Sequence, residues 1–73
     1  RGWPMIKLLN AEGFQIYFNV FNIVSVEDYG DHIIVKHRSG TTKIKEPIDL
    51  VVSKIEKALI AMAGGFNVQN PNQ

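Results

Sequence analysis

The chain has 73 residues, eight Lys and Arg against seven Asp and Glu, and no Cys. That length accommodates one small domain, and the missing Cys excludes a disulfide scaffold, a zinc knuckle and a cysteine nucleophile. A net charge of +1 argues against a polyelectrolyte that wraps nucleic acid with basic tails. A chain this short buries only about 60% of its unfolded surface. Little core is left to hollow into a catalytic pocket, so a binding module that gains stability by self-association is expected.

Arg1-Gly2-Trp3-Pro4 precede Met5, which reads as a native start, so residues 1–4 read as a remnant of expression. The N-terminus lacks the charged, apolar and small-residue order of a signal peptide. No apolar run approaches the roughly 18–20 residues that span a membrane. With the absence of Cys, these features predict a cytoplasmic protein without membrane insertion.

Met5 to Asn10 and Phe14 to Asn19 read as two strands around Ala11-Glu12-Gly13, a three-residue loop with Gly where positive φ is wanted. Placing Asn10 opposite Phe14 pairs Leu8 with Ile16 and Ile6 with Phe18 on an apolar face that includes Phe14. Lys7 then meets Tyr17, and Leu9 meets Gln15, on the other face. Tyr29-Gly30 as a two-residue turn would pair Val26 with Ile33 and Val24 with Val35 inside, and Glu27 with His32 outside. Ser39-Gly40 would turn the chain again, pairing Val35 with Ile44 inside and Lys36 with Lys43 outside. Three turns that agree on the apolar face predict an antiparallel meander of about five strands.

From Pro47 the period changes. Ile48, Val51, Val52, Ile55, Leu59 and Met62 follow one helical face. Pro47 suits the first helical position, Asp49 the positive end of the dipole, and Gly64-Gly65 a stop. The stripe should cover the apolar face of the sheet, giving an α+β domain over residues 5–63. The uncharged stretch 64–73 reads as a flexible tail.

Three groups of side chains carry potential chemistry. Lys36, Arg38, Lys43 and Lys45 would share the outer face of the last hairpin and suit an anion, either nucleic-acid phosphate or an acidic partner. A solvated edge that uses Lys to block strand pairing fits them better, because four charges are few beside the roughly 6–10 phosphate contacts of a firm DNA binder. Asp28, Asp31 and His32 flank a turn that favours such residues for conformation. His37 points away from His32, and no third or fourth ligand or nucleophile motif accompanies them, so no catalytic residue, metal or cofactor is expected. Leu9, Ile23 and Ile34 on the outer face, with Leu50 and Ile60 off the helix stripe, form surplus apolar surface suited to self-association or to a protein partner.

Met5-Ile6, Gly13-Phe14, Asn19, Ile23, Glu27, Asp31, Gly40 and Glu46 fall in an order that resembles the small flagellar FlbD/SwrD family, over Met5 to about Leu59. Leu9-Asn10-Ala11-Glu12-Gly13 replaces that family's Leu-Asn-Gly turn, and the Gly-rich end is not typical of it. A phage or mobile-element protein of similar build is the alternative. The resemblance implies a cytoplasmic bacterial accessory protein of flagellar function, with no catalytic residues to carry over.

Overall fold

A computed structural model describes the backbone of residues 4–67 and the side chains of residues 4–62. Five antiparallel strands and one C-terminal helix form the α+β domain expected from the sequence. The strands, however, are divided between two sheets. β1 (Met5–Leu9) pairs with β2 (Gln15–Asn19), while β3 (Ile23–Asp28), β4 (Ile33–His37) and β5 (Gly40–Ile44) form a three-stranded meander. A 3-10 turn, Val20–Asn22, carries the chain from one sheet to the other. Asn19 starts it, its Oδ1 accepting the Phe21 N–H at 2.9 Å.

The sheets meet at a corner. Asn10 bridges to Ile44, the Ala11 N–H donates to the Lys43 carbonyl, and the Lys45 N–H donates to the Leu9 carbonyl, both at 2.9 Å. Asn10 is buried there, and its Oδ1 accepts from the backbone N–H groups of Glu12 and Phe14 at 3.1 and 2.8 Å. The polar side chain stands in for the missing ladder partners, because backbone donors withdrawn from water need an acceptor. Gly13, at φ 94°, closes the loop in a conformation costly for any other residue.

The β1–β2 register is the expected one, with Ile6 opposite Phe18 and Leu8 opposite Ile16. The other two registers differ by two residues each. Val26 faces Val35, Val35 faces Thr42, and Ile33 faces Ile44. A shift of two preserves the faces, because side chains alternate with period two. The apolar pattern that identified the inner face therefore could not locate the turns. Gly30 and Asp31 occupy the centre of the first turn, with Gly30 at φ 92° and the Tyr29 N–H donating to the His32 carbonyl at 2.9 Å. Arg38 and Ser39 occupy the second turn.

A bulge between Ile23 and Ser25 moves Val24 out of the ladder. Val24 is 70% exposed, not inside opposite Val35, and Ile23 packs on the core in its place instead of lying outside. Phe14 also departs from the inner face. It is 66% exposed, in the loop before β2, where its N–H donates to Asn10 Oδ1.

The core comprises Ile6, Leu8, Phe18, Val20, Ile33, Val35, Ile44 and Val51. α1 (Ile48–Asn67) contributes Val51, with Ile48, Ile55 and Ala58 packed around it. The Pro47 carbonyl accepts the first helical N–H groups, from Leu50 and Val51, so Pro47 lies just before the helix instead of within its first turn. Lys54 fixes the helix to the first sheet, its Nζ donating to the Lys7 carbonyl at 2.6 Å and pairing with Glu46 Oε1 at 3.0 Å.

The helix runs through Gly64-Gly65 to Asn67, beyond the expected stop. Each Gly costs a helix about 1 kcal/mol relative to Ala but does not forbid it. Residues 68–73 of the expected tail, and residues 1–3, lie outside the described residues. Val52, Leu59 and Met62, expected on the covering stripe, remain exposed. Ala58 is the last described helix residue packed on the core, and Leu59 to Met62 beyond it are all exposed. Among the described residues no helix is long and apolar enough to cross a membrane.

Removing the Asn10 side chain takes the acceptor from the part-buried N–H groups of Glu12 and Phe14 and opens the corner. We expect Asn10→Ala to lower unfolding free energy by about 1–3 kcal/mol, measured by urea denaturation, with a lost Ala11–Lys43 contact reported by faster amide exchange of Ala11.

Candidate functional site

The four cations expected on one face are distributed over three places. Lys36 and Lys43 do lie on the outer face of the meander, but Lys36 faces Thr41 and Lys43 faces Ile34, so the expected like-charge pair is absent. The two-residue shift in the hairpin is the reason. Lys36 Nζ instead pairs with Glu27 Oε2 on β3 at 3.1 Å. Arg38 sits in the β4–β5 turn, where its N–H donates to the Asn22 carbonyl, and it lines a shallow groove with Tyr17, Asn19, Asn22, His37 and Thr42. Lys45 lies past β5 beside a second depression, of about 310 Å³, that also touches Asp28, Asp31, His32 and Glu46.

The acidic turn is held by its own side chains. Asp28 Oδ1 accepts the Gly30 N–H at 2.9 Å, which braces the turn. His32 does not pair with Glu27 across the strands; its Nδ1 lies 2.6 Å from Asp31 Oδ1, and its ring stacks on Tyr29 with centroids 5.1 Å apart. The Tyr29 hydroxyl donates to Glu27 Oε1 at 2.5 Å. His37 lies elsewhere, its Nε2 2.8 Å from Thr42 Oγ1 and its ring against Phe18. Among the described residues no three His, Asp or Glu side chains are grouped to hold a metal ion.

The electrostatics follow these contacts. The Tyr29 hydroxyl, followed by Lys36, holds the Glu27 carboxyl below its ordinary value, and Glu27 in turn raises Tyr29 and Lys36. His32 lowers Asp31 through its hydrogen bond, with a smaller contribution from Lys43. The outer face is thus a mixed-charge network in which Glu27 and Asp31 offset Lys36 and Lys43. Such a network orders a hairpin tip better than it collects phosphates, which bind in proportion to uncompensated positive charge.

The expected apolar surface is redistributed as well. Leu9, Ile23 and Ile34 are half-buried, and Ile23 belongs to the core margin. Leu50 and Ile60 are exposed as expected, and Val52, Leu59 and Met62 join them on the same helix. Leu59, Ile60, Ala61 and Met62 are all exposed. Four consecutive residues encircle a helix, so at this point α1 has left the globule. The signal for this region was present in the sequence as apolar residues on every side of the helix after Lys57. How far the sheets extend was not.

Glu27 gives the site a measurable signature. Because its folded pKa is lowered, it contributes stability above the ordinary carboxylate range, and this contribution is lost as pH falls through the depressed folded value. In Tyr29→Phe the Glu27 midpoint should rise towards the ordinary carboxylate value, followed by carboxyl carbon shifts in an NMR titration. An unchanged midpoint would assign the effect to Lys36 alone.

No protein-family model, curated protein or solved structure matches the chain, so its likeness to the FlbD/SwrD family rests on the residues named above.

Proposed function

We propose that the chain is a non-enzymatic interaction module that associates with itself and docks to a protein partner. The projecting apolar turn Leu59–Met62 carries this reading, since an all-round apolar helix surface is stable in water only when something covers it. The likeness to the FlbD/SwrD family supplies the proposed setting, a bacterial cytoplasmic accessory role in flagellar function. Unimpaired swimming in a flagellated host that lacks the gene would remove that setting without touching the interaction role.

Nucleic-acid binding has less support. Lys36 is paired with Glu27, Arg38 lies in the β4–β5 turn, and Lys43 and Lys45 both stand near the Asp31 carboxylate, so little uncompensated positive charge is gathered for phosphates. Sedimentation velocity over rising protein concentration should show an increasing sedimentation coefficient, while DNA and RNA titrations at low salt show weak binding. Tight binding that falls steeply with salt and disappears in Lys36→Glu/Lys43→Glu would overturn the protein-docking reading.

A further inference from the structure

We propose that two copies of this chain pair through α1, their projecting halves crossing antiparallel so that Leu59 of one copy packs against Met62 of the other. The proposal rests on the self-association reading above and names the surface and geometry.

The helix carries two apolar lines. Ile48, Val51, Ile55 and Ala58 meet the chain's own core. Ile48, Val52, Ile55, Leu59 and Met62 are spaced four, three, four and three, the repeat by which one helix packs against another. The lines share Ile48 and Ile55 and then diverge. Val52, Leu59 and Met62 are 38%, 42% and 42% exposed, so the second line begins against the globule and continues without cover.

Charge and topology point to a second copy as the cover. No charged residue follows Lys57 anywhere in the chain. The projecting turns therefore meet their own image without repulsion and offer a charged partner nothing to pair with. Among the described residues α1 is the single α-helix, so no second described helix fills the seam. A two-fold contact also needs a surface that is complementary to itself, and an uncharged line of medium-sized side chains meets that condition.

The antiparallel sense follows from where the globule sits. Ile48 and Ile55 belong to both lines, so in the first half of the helix the sheets occupy nearly the side on which the seam lies. A parallel partner at the usual 8–10 Å between axes would bring the two globules into the same space. Antiparallel crossing at residues 59–62 centres the contact past Ala58, the last described helix residue packed on the core, and puts the two globules on opposite sides of the crossing.

Sedimentation equilibrium of the full chain measures the dimer constant. Leu59→Lys/Met62→Lys should weaken dimerisation by about 100-fold or more, as expected for two apolar side chains kept from burial. Ile60→Lys, on the opposite side of the helix, should change it by no more than about threefold. The chain has no Cys, so single variants can be cross-linked cleanly. A mixture of Leu59→Cys and Met62→Cys proteins should give the mixed disulfide ahead of either like pair. Like pairs in excess would indicate parallel packing and overturn the geometry. A wild-type dimer unaffected by the double Lys variant, or weakened equally by Ile60→Lys, overturns the seam but leaves self-association standing. A wild-type monomer at all concentrations, including one that floats with phosphatidylcholine vesicles instead, overturns both.

Discussion

Asn10 makes a hairpin and a meander into one domain. Two strands alone do not bury enough surface to persist in water, and the β3–β5 meander has an apolar face that also needs covering. At the corner the Asn10 bridge to Ile44, together with the flanking Leu9–Lys45 and Ala11–Lys43 hydrogen bonds, sets β1 against the start of the helix-bearing segment. Leu8, Ile44 and Val51 can then be buried together from three different parts of the chain. The polar group thus supports the apolar core, since it holds the N–H groups of Glu12 and Phe14 where the chain turns.

From that corner the positions of the other groups follow. The segment after β5 enters α1 through Pro47, and Lys54 ties the helix back to the Lys7 carbonyl and to Glu46. The helix is fixed by Ile48, Val51, Lys54, Ile55 and Ala58, and the next described side chains, Leu59 to Met62, are exposed. The charged network around Glu27 and the apolar end of α1 thus belong to different parts of the molecule. The former orders a hairpin tip, and the latter leaves surface to be covered.

Much of the fold could be read from the residues. Alternation in Met5–Leu9 and Gln15–Asn19 fixed both the pairing and the register, because Gly13 leaves one favourable loop. The meander was legible in its faces and not in its turns. Gly30 and Gly40 can occupy different places within a turn, and moving the register by two leaves every side chain on the same face. That ambiguity dispersed the cation cluster, since Lys36 and Lys43 are opposed in one register and apart in the other. Val24 and Phe14 failed for a different reason: a bulge and a buried Asn are local departures that apolar periodicity does not encode. The helix face was legible, yet its exposed end was not, because exposure depends on the size of the sheets that should have covered it.

The bulge at Val24 has a consequence for how chains can meet. β3 forms an edge of the three-stranded sheet, and a regular edge strand offers a row of donors and acceptors to any passing chain. Displacing Val24 breaks the spacing of that row, so an incoming strand cannot extend the ladder in register along the whole edge. The irregularity that hides β3 from a simple alternating pattern also makes this edge a poor template for an added strand.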